Sequence, residues 1–195
     1  MAEVLTAEPV VRICAVISRD DDLRAEAIEH LTEEWGKPIC RTEPLPFQAG
    51  GYYTPTMGAD LRKELVGFSN PLDGGPLADW KLWTNRLEVR LAATRIQGDA
   101  VSESTSVNSR PINLDPGYVT QAKLVLATTK DRDHRVYLRD GIYGEVTLNY
   151  TAKRWVSHRW TYPDYRTEEV AAFATSCRQY LRQHLQETAG FRSRG

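Results

Sequence analysis

Apolar positions along the chain fall into two periods. Residues 10–17, Val-Val-Arg-Ile-Cys-Ala-Val-Ile, are short, β-branched and apolar, the pattern of a buried strand. Leu23, Ala27, Ile28, Leu31 and Trp35 then recur at helical spacing. Asp20-Asp21-Asp22 opens this helix at the positive end of its dipole, and Gly36 and Pro38 stop it, which predicts a helix over 22–35. Residues 39–54 carry Pro44 and Pro46 and read as an edge or irregular strand. Met57, Leu61, Leu65 and Phe68 predict a second helix over 57–68, entered from Tyr52-Tyr53, and Asn70-Pro71 and Gly74-Gly75-Pro76 a loop. Trp80, Trp83, Leu87 and Leu91 form the core stripe of a third helix, over 78–96. Residues 98–109 are polar and Ser-rich, a loop.

In the second half, Asp115-Pro116-Gly117 carries strong turn chemistry, since Pro presets φ and Gly permits φ > 0. Residues 121–129 are apolar and fit helix or strand equally. Two β-rich runs flank Asp140-Gly141, a preferred type I′ pair, so 135–150 is predicted to be a hairpin. Residues 155–165 are aromatic and extended. Thr167 caps a last helix over 167–186, with Glu168 and Glu169 in its first turn and Val170, Phe173, Ala174, Cys177, Leu181 and Leu185 on its buried face. Strands and helices mix without a βαβ rhythm. The expectation is one α+β domain over 1–195, frayed at 1–10 and 187–195, with a mixed or antiparallel sheet and about four helices.

Composition narrows the setting. The chain has 195 residues, 41% hydrophobic and 26% charged, an ordinary globular balance large enough for one core. No run reaches the ~18 apolar residues of a membrane span. The first ten residues contain no Lys or Arg, so no signal peptide is expected. The three cysteines, Cys14, Cys40 and Cys177, form no CxxC pair and read as reduced thiols, which points to a cytoplasmic location. Net charge is −1 but uneven: residues 1–70 hold 7 basic against 12 acidic side chains, residues 110–166 hold 10 against 6. The basic second half would suit an anionic ligand, or would simply pair with the acidic first half.

Candidate chemistry is sparse. His30, His134, His158 and His184 show no HxxxH or HExxH spacing, so no metal is expected, and nothing indicates a cofactor. There is no G-x-S-x-G elbow. With Asp140-Gly141 as a two-residue turn, Val136 would face Glu145 and His134 would face Thr147. His134 and Glu145 would then be diagonal neighbours, a candidate acid–base pair or a structural one. Lys81, Asn85 and Glu88 line a second stripe of the third helix, apart from its apolar face. Arg110, Lys130 and Arg135, with Asn113 and Asp115, are candidates for phosphate or carboxylate binding. Because neither helix nor hairpin needs these polar groups in order to form, they predict one shared cleft. Trp155, Trp160, Tyr162 and Tyr165 interleave with Lys153, Arg154, Arg159 and Arg166, as in single-strand nucleic-acid binders, but an aromatic seam under the last helix is the plainer reading.

Several strings are distinctive: Tyr52-Tyr53…Met57-Gly58, Lys81…Thr84-Asn85…Glu88, Asn113-Leu114-Asp115-Pro116-Gly117-Tyr118, Leu126-Ala127-Thr128-Thr129-Lys130-Asp131, His134-Arg135-Val136-Tyr137-Leu138, Gly141-Ile142-Tyr143-Gly144-Glu145 and Trp160-Thr161-Tyr162-Pro163-Asp164-Tyr165. In this order, over residues 11–185, they resemble the bacterial family catalogued as domain of unknown function 4416. The resemblance implies no established activity. Some members carry a GTP-binding label, which these residues do not support. There is no G-x-x-x-x-G-K-[ST], Pro76 removes a donor after Gly74-Gly75, and Arg132 stands where a guanine-reading acid is needed after Lys130-Asp131. The leading expectation is a binding or regulatory module for a small anionic ligand, a nucleotide among the options. An enzyme using His134 and Glu145 on a phosphorylated or carboxylated substrate is the alternative, and a single-stranded nucleic-acid binder ranks third. The sequence does not speak to oligomeric state. Neither metal nor disulfide should be needed for folding, so an unchanged melting temperature in chelator and in reductant is the expected outcome of a thermal melt.

Overall fold

A computed structural model describes residues 7–47, 54–98 and 110–188. The apolar run after Val10 becomes β1 (Val11–Ser18), and the Asp-rich start becomes α1 (Asp21–Trp35), whose first turn is capped by Asp20 Oδ1 accepting from the Leu23 N–H at 3.0 Å. The chain continues through β2 (Pro38–Arg41), β3 (Leu45–Pro46), α2 (Thr54–Met57), β4 (Arg62–Phe68), α3 (Leu77–Gly98), β5 (Asn113–Val119) and β6 (Lys123–Thr128). It ends with β7 (Val136–Arg139), β8 (Ile142–Thr151), β9 (Arg154–Ser157), a 3₁₀ turn (Pro163–Tyr165) and α4 (Glu168–Glu187).

The strands form one open antiparallel sheet in the order β2-β4-β1-β5-β6-β8-β7, with β3 pairing β4 and β9 pairing β8. Alternation sorts the side chains onto two faces. Cys14, Val16, Val66, Phe68, Leu114 and Val125 pack under α1 and α3. Ile13, Ala15, Leu65, Val119, Leu126 and Leu148 pack under α4, against Phe173, Ala174, Cys177 and Leu181. Both faces of the central strands are therefore dry, which explains the unbroken apolar run at β1. The result is an α+β fold, as the sequence predicts, with α1, α3 and α4 close to the expected bounds. No described helix is long and apolar enough to cross a membrane.

Three expectations are corrected. Residues 57–68 are not a helix: α2 ends at Met57 and 62–68 form β4, a strand flanked by β1 and β2. A strand buried on both faces reads as continuously apolar, and Met57, Leu61 and Leu65 imitate a helical stripe by coincidence of spacing. Asp115-Pro116-Gly117 is not a turn but the middle of β5, paired to β1 along its length. The hairpin turn at Asp140-Gly141 is present, with φ of 52° and 73° at the two residues as type I′ requires. Its ladder, however, shifts at Leu138, so Val136 pairs Gly144 rather than Glu145. Residues 121–129, open between helix and strand, supply β6, and 39–47 supply the edge pieces β2 and β3. Tyr52-Tyr53, the loop over 99–109 and the ends at 1–6 and 189–195 lie outside the described residues.

Among the described glycines, Gly117 stands closest to its neighbours. A Cβ there would lie 2.2 Å from the Val125 carbonyl oxygen and 2.9 Å from Leu126 Cδ2. Backbone cannot swing aside as a side-chain tip can, so Gly117→Ala is expected to cost about 1–3 kcal/mol or more in chemical denaturation.

Candidate functional site

The β5–β6 ladder covers only Gly117–Val119 of β5 against Leu124–Leu126 of β6. Ahead of it, the outward groups of β5 have no strand to meet. Residues two apart in a strand point their backbone groups to the same side, so Leu114 and Pro116 share this unpaired edge. Pro116 has no N–H to satisfy there. Leu114 has both groups, and α3 supplies their partners: its N–H donates to Glu88 Oε1 at 2.8 Å, and its C=O accepts from Lys81 Nζ at 2.7 Å. Lys81 and Glu88 are buried, so they are not surplus to packing. They complete the sheet.

From this anchor a chain of contacts runs outward. Lys81 Nζ reaches Asp115 Oδ1 at 3.1 Å, and Asn113 Nδ2 donates to Asp115 Oδ2 at 2.7 Å. Arg110 donates to Asn113 Oδ1 and, through Nε and a terminal nitrogen, to Glu88 Oε2 at 3.1 and 2.8 Å. The outer members are Arg110, whose side chain is 37% exposed, and Asp115, at 30%. Burial raises the Glu88 carboxyl above its usual range against the pull of Lys81 and Arg110. Burial also acts to raise Asp115, but Lys81 and Asn113 outweigh it and hold that carboxyl low. Asn85, half-buried one turn beyond Lys81, takes no hydrogen bond in this network.

The second group sits where β7 meets β8. Glu145 is buried and accepts from His134 Nε2 at 3.1 Å, Arg135 Nε at 2.8 Å and Thr147 Oγ1 at 3.3 Å. His134 and Glu145 thus meet as expected, but not through the ladder. His134 lies in a turn before β7, and that turn survives the register shift. The other ring nitrogen of His134 is 2.9 Å from Asp133 Oδ1, so both nitrogens are engaged. The His134 contact, and then Arg159, hold the Asp133 carboxyl down at about 2. Lys130 joins through its main chain, its C=O accepting from Arg135 at 2.9 Å.

The aromatic segment is mostly committed to packing. Trp160 is stacked between the rings of His134 and His158, at 5.2 and 4.6 Å, and its indole N–H donates to the Val146 carbonyl at 3.0 Å. The Trp155 N–H bonds Thr175 of α4, and Tyr165 is buried beneath Lys63 Nζ at 3.8 Å. Tyr162 remains 47% exposed, its hydroxyl accepting from Arg135 at 3.4 Å.

The strand residues of both groups lie on the α4 face, while Lys81 and Glu88 reach them from α3 past the open edge of β5. Asn113 and Asp115 alternate with Leu114, which faces α3, and Glu145 pairs Leu126, which faces α4. Gly117, Leu126 and Glu145 form one row, and Asp115 is one ladder step further along β5. Strand spacing and rise put Asp115 and Glu145 on the order of 12 Å apart. The same end of the sheet holds a residue pair the sequence reading missed. Lys63, fully buried on β4, donates to Asp164 Oδ2 at 2.6 Å beside Tyr165. A lysine inside the apolar 61–68 run was its signal, hidden by the helix assignment. A separate depression of about 210 Å³ lies between β8, β9 and the start of α4, lined by Leu148, Trp155, Tyr165 and Thr167. Among the described residues, no three His, Cys, Asp or Glu side chains converge to hold a metal ion.

A family model described as a domain of unknown function, DUF4416, matches residues 8–180. No curated protein and no solved structure matches the chain.

Glu88→Ala leaves the buried Leu114 N–H without its acceptor and removes two hydrogen bonds from the Arg110 guanidinium. It is expected to cost about 3–5 kcal/mol in denaturant unfolding. Arg159→Ala breaks an exposed pair with Asp133 and is expected to leave the denaturation midpoint essentially unchanged.

Proposed function

We propose, from the premise that the chain belongs to the DUF4416 family, that it is a binding or regulatory module for a small ligand bearing an anionic group. The site is the rim formed by Arg110 and Asp115, braced from below by the buried Asn113. The observation that carries this reading is the posture of Arg110. Glu88 and Asn113 grip its guanidinium while a third of the side chain stays exposed. An arginine oriented in advance loses little freedom when it meets a phosphate or carboxylate. Asp115 beside it, held by Asn113, supplies an acceptor for a hydroxyl or amine on the same ligand, as a nucleotide or sugar phosphate would present. Lys81 and Arg110 are balanced by Glu88 and Asp115, so recognition rests on geometry more than on net field. Lys130 and Arg135, in the Glu145 group, and Asn85 on α3 are further candidate contacts that draw less support, since Arg135 is itself buried against Glu145.

The acid–base reading of His134 and Glu145 draws less support. A general base needs a nitrogen or oxygen free to take the proton, and His134 has both nitrogens engaged. A nucleic-acid role draws least, since base stacking needs open rings and only Tyr162 of the segment is substantially exposed. The reading places the protein in the bacterial cytoplasm, in keeping with its unbridged cysteines.

The test is a thermal-shift screen of nucleotides, sugar phosphates and small carboxylates. A true ligand at about 100 times its Kd stabilises by about 2.7 kcal/mol. Arg110→Lys keeps the charge but loses the planar fork, and is expected to reduce the shift about tenfold in ligand affinity. A screen with no hit, or a hit that Arg110→Lys leaves unchanged, overturns the reading.

A further inference from the structure

Two cysteines 137 positions apart in sequence meet in the fold: Cys40 Sγ on β2 is 3.4 Å from Cys177 Sγ on α4. Both are free thiols. Opposite them on β4 sits Gly67, the ladder partner of Cys40. A Cβ at that position would lie 2.7 Å from Cys177 Sγ and 3.1 Å from Cys40 Sγ, so the pair occupies the space that a side chain would fill. The β2–β4 ladder is irregular between Pro38 and Cys40, and β2 is a four-residue edge strand. Short edge strands with a bulge yield more readily than central ones. A disulfide needs the sulfurs at about 2.05 Å, so closure asks for a movement of about 1.3 Å.

We infer that Cys40 and Cys177 are an oxidisable dithiol, a site at which a small-molecule disulfide clamps the edge of the sheet to α4. The two sulfurs differ in access. Cys40 is half-exposed, while Cys177 is fully buried. That sets the order of events. The Cys40 thiolate, its proton released to water, attacks one sulfur of the oxidant R–S–S–R. A mixed disulfide forms and RS⁻ leaves. Cys177 then loses its proton and attacks the Cys40 sulfur, and the second RS⁻ leaves. Two protein thiols are oxidised to one disulfide and one R–S–S–R is reduced to two RSH. Acidity runs the same way: the hydrogen bond from Cys177 holds the Cys40 thiol below its usual value, and burial holds Cys177 well above. Cys14 cannot compete, because it is buried on the opposite face among the α1 and α3 contacts. The two thiols are free in this fold, so oxidation would add a constraint to it.

Oxidised glutathione on the reduced full-length protein is the test. Two of the three thiols should disappear. A non-reducing digest should join the peptides of Cys40 and Cys177, and the melting temperature should rise by roughly 5–10 °C, reversibly in reductant. Cys177→Ser should stop at a glutathione adduct on Cys40, and Cys40→Ser should leave its two remaining thiols reduced. Three thiols surviving in the wild type, a link through Cys14, or a stable adduct on Cys40 without closure would each overturn the inference. So would glutathione uptake at Cys177 in the Cys40→Ser protein.

Discussion

A peptide group buried away from water must find a hydrogen-bond partner or destabilise the fold by roughly 1–3 kcal/mol. At Leu114 the neighbouring strand has ended, and a helix provides both partners. Much else follows from that substitution. It fixes the rotation of α3 above the sheet, because Lys81 and Glu88 must stand two turns apart and reach the same residue. It brings a lysine and a glutamate into the interior, where each needs an opposite charge, and so draws in Asp115 and Arg110. It also explains how proline can occupy a central strand. Pro116 is placed where a donor would have gone unmet.

The elements legible in the sequence are those whose signal is local. β1, α1, α3, α4 and the Asp140-Gly141 turn were readable from periodicity, caps and turn chemistry, each acting within a few residues. The misread elements are decided from a distance. Nothing near Leu65 says that β1 and β2 will flank it, and Asp-Pro-Gly is turn chemistry until β1 pairs with it along its length. The hairpin lies between these cases: its turn was legible, whereas the shift at Leu138 follows no rule of the turn.

The polar residues were found more readily than their roles. Lys81, Glu88, Arg110, Asn113 and Asp115 do join one network, because charges on a helix stripe and beside a strand end rarely lie together without a reason. The premise that they are spare was mistaken for Lys81 and Glu88, since a stripe pattern cannot reveal an unpaired backbone edge on another element. Asn85 shared the stripe and stands apart. Lys63 and Asp164 escaped notice, because a lysine is assumed solvated unless its segment is known to be a central strand.

The position of β1 has a consequence for how the chain is made. Val11 and Ile17 pair with Val119 and Asn113. The most apolar strand is thus synthesised first, yet one of its two neighbours emerges about a hundred residues later. At roughly 5–20 residues per second that is on the order of 5–20 s during which one edge of β1 in a nascent chain has no partner strand. Such non-local pairing slows closure of the sheet, whereas the β7–β8 hairpin, a local unit, forms on a scale of about 1–10 μs. Helix α1, following β1 directly and packing on it, is the first cover available. The order of elements along the chain therefore acts as a schedule, in which the cover of one face of β1 is made long before the strand that closes its second edge.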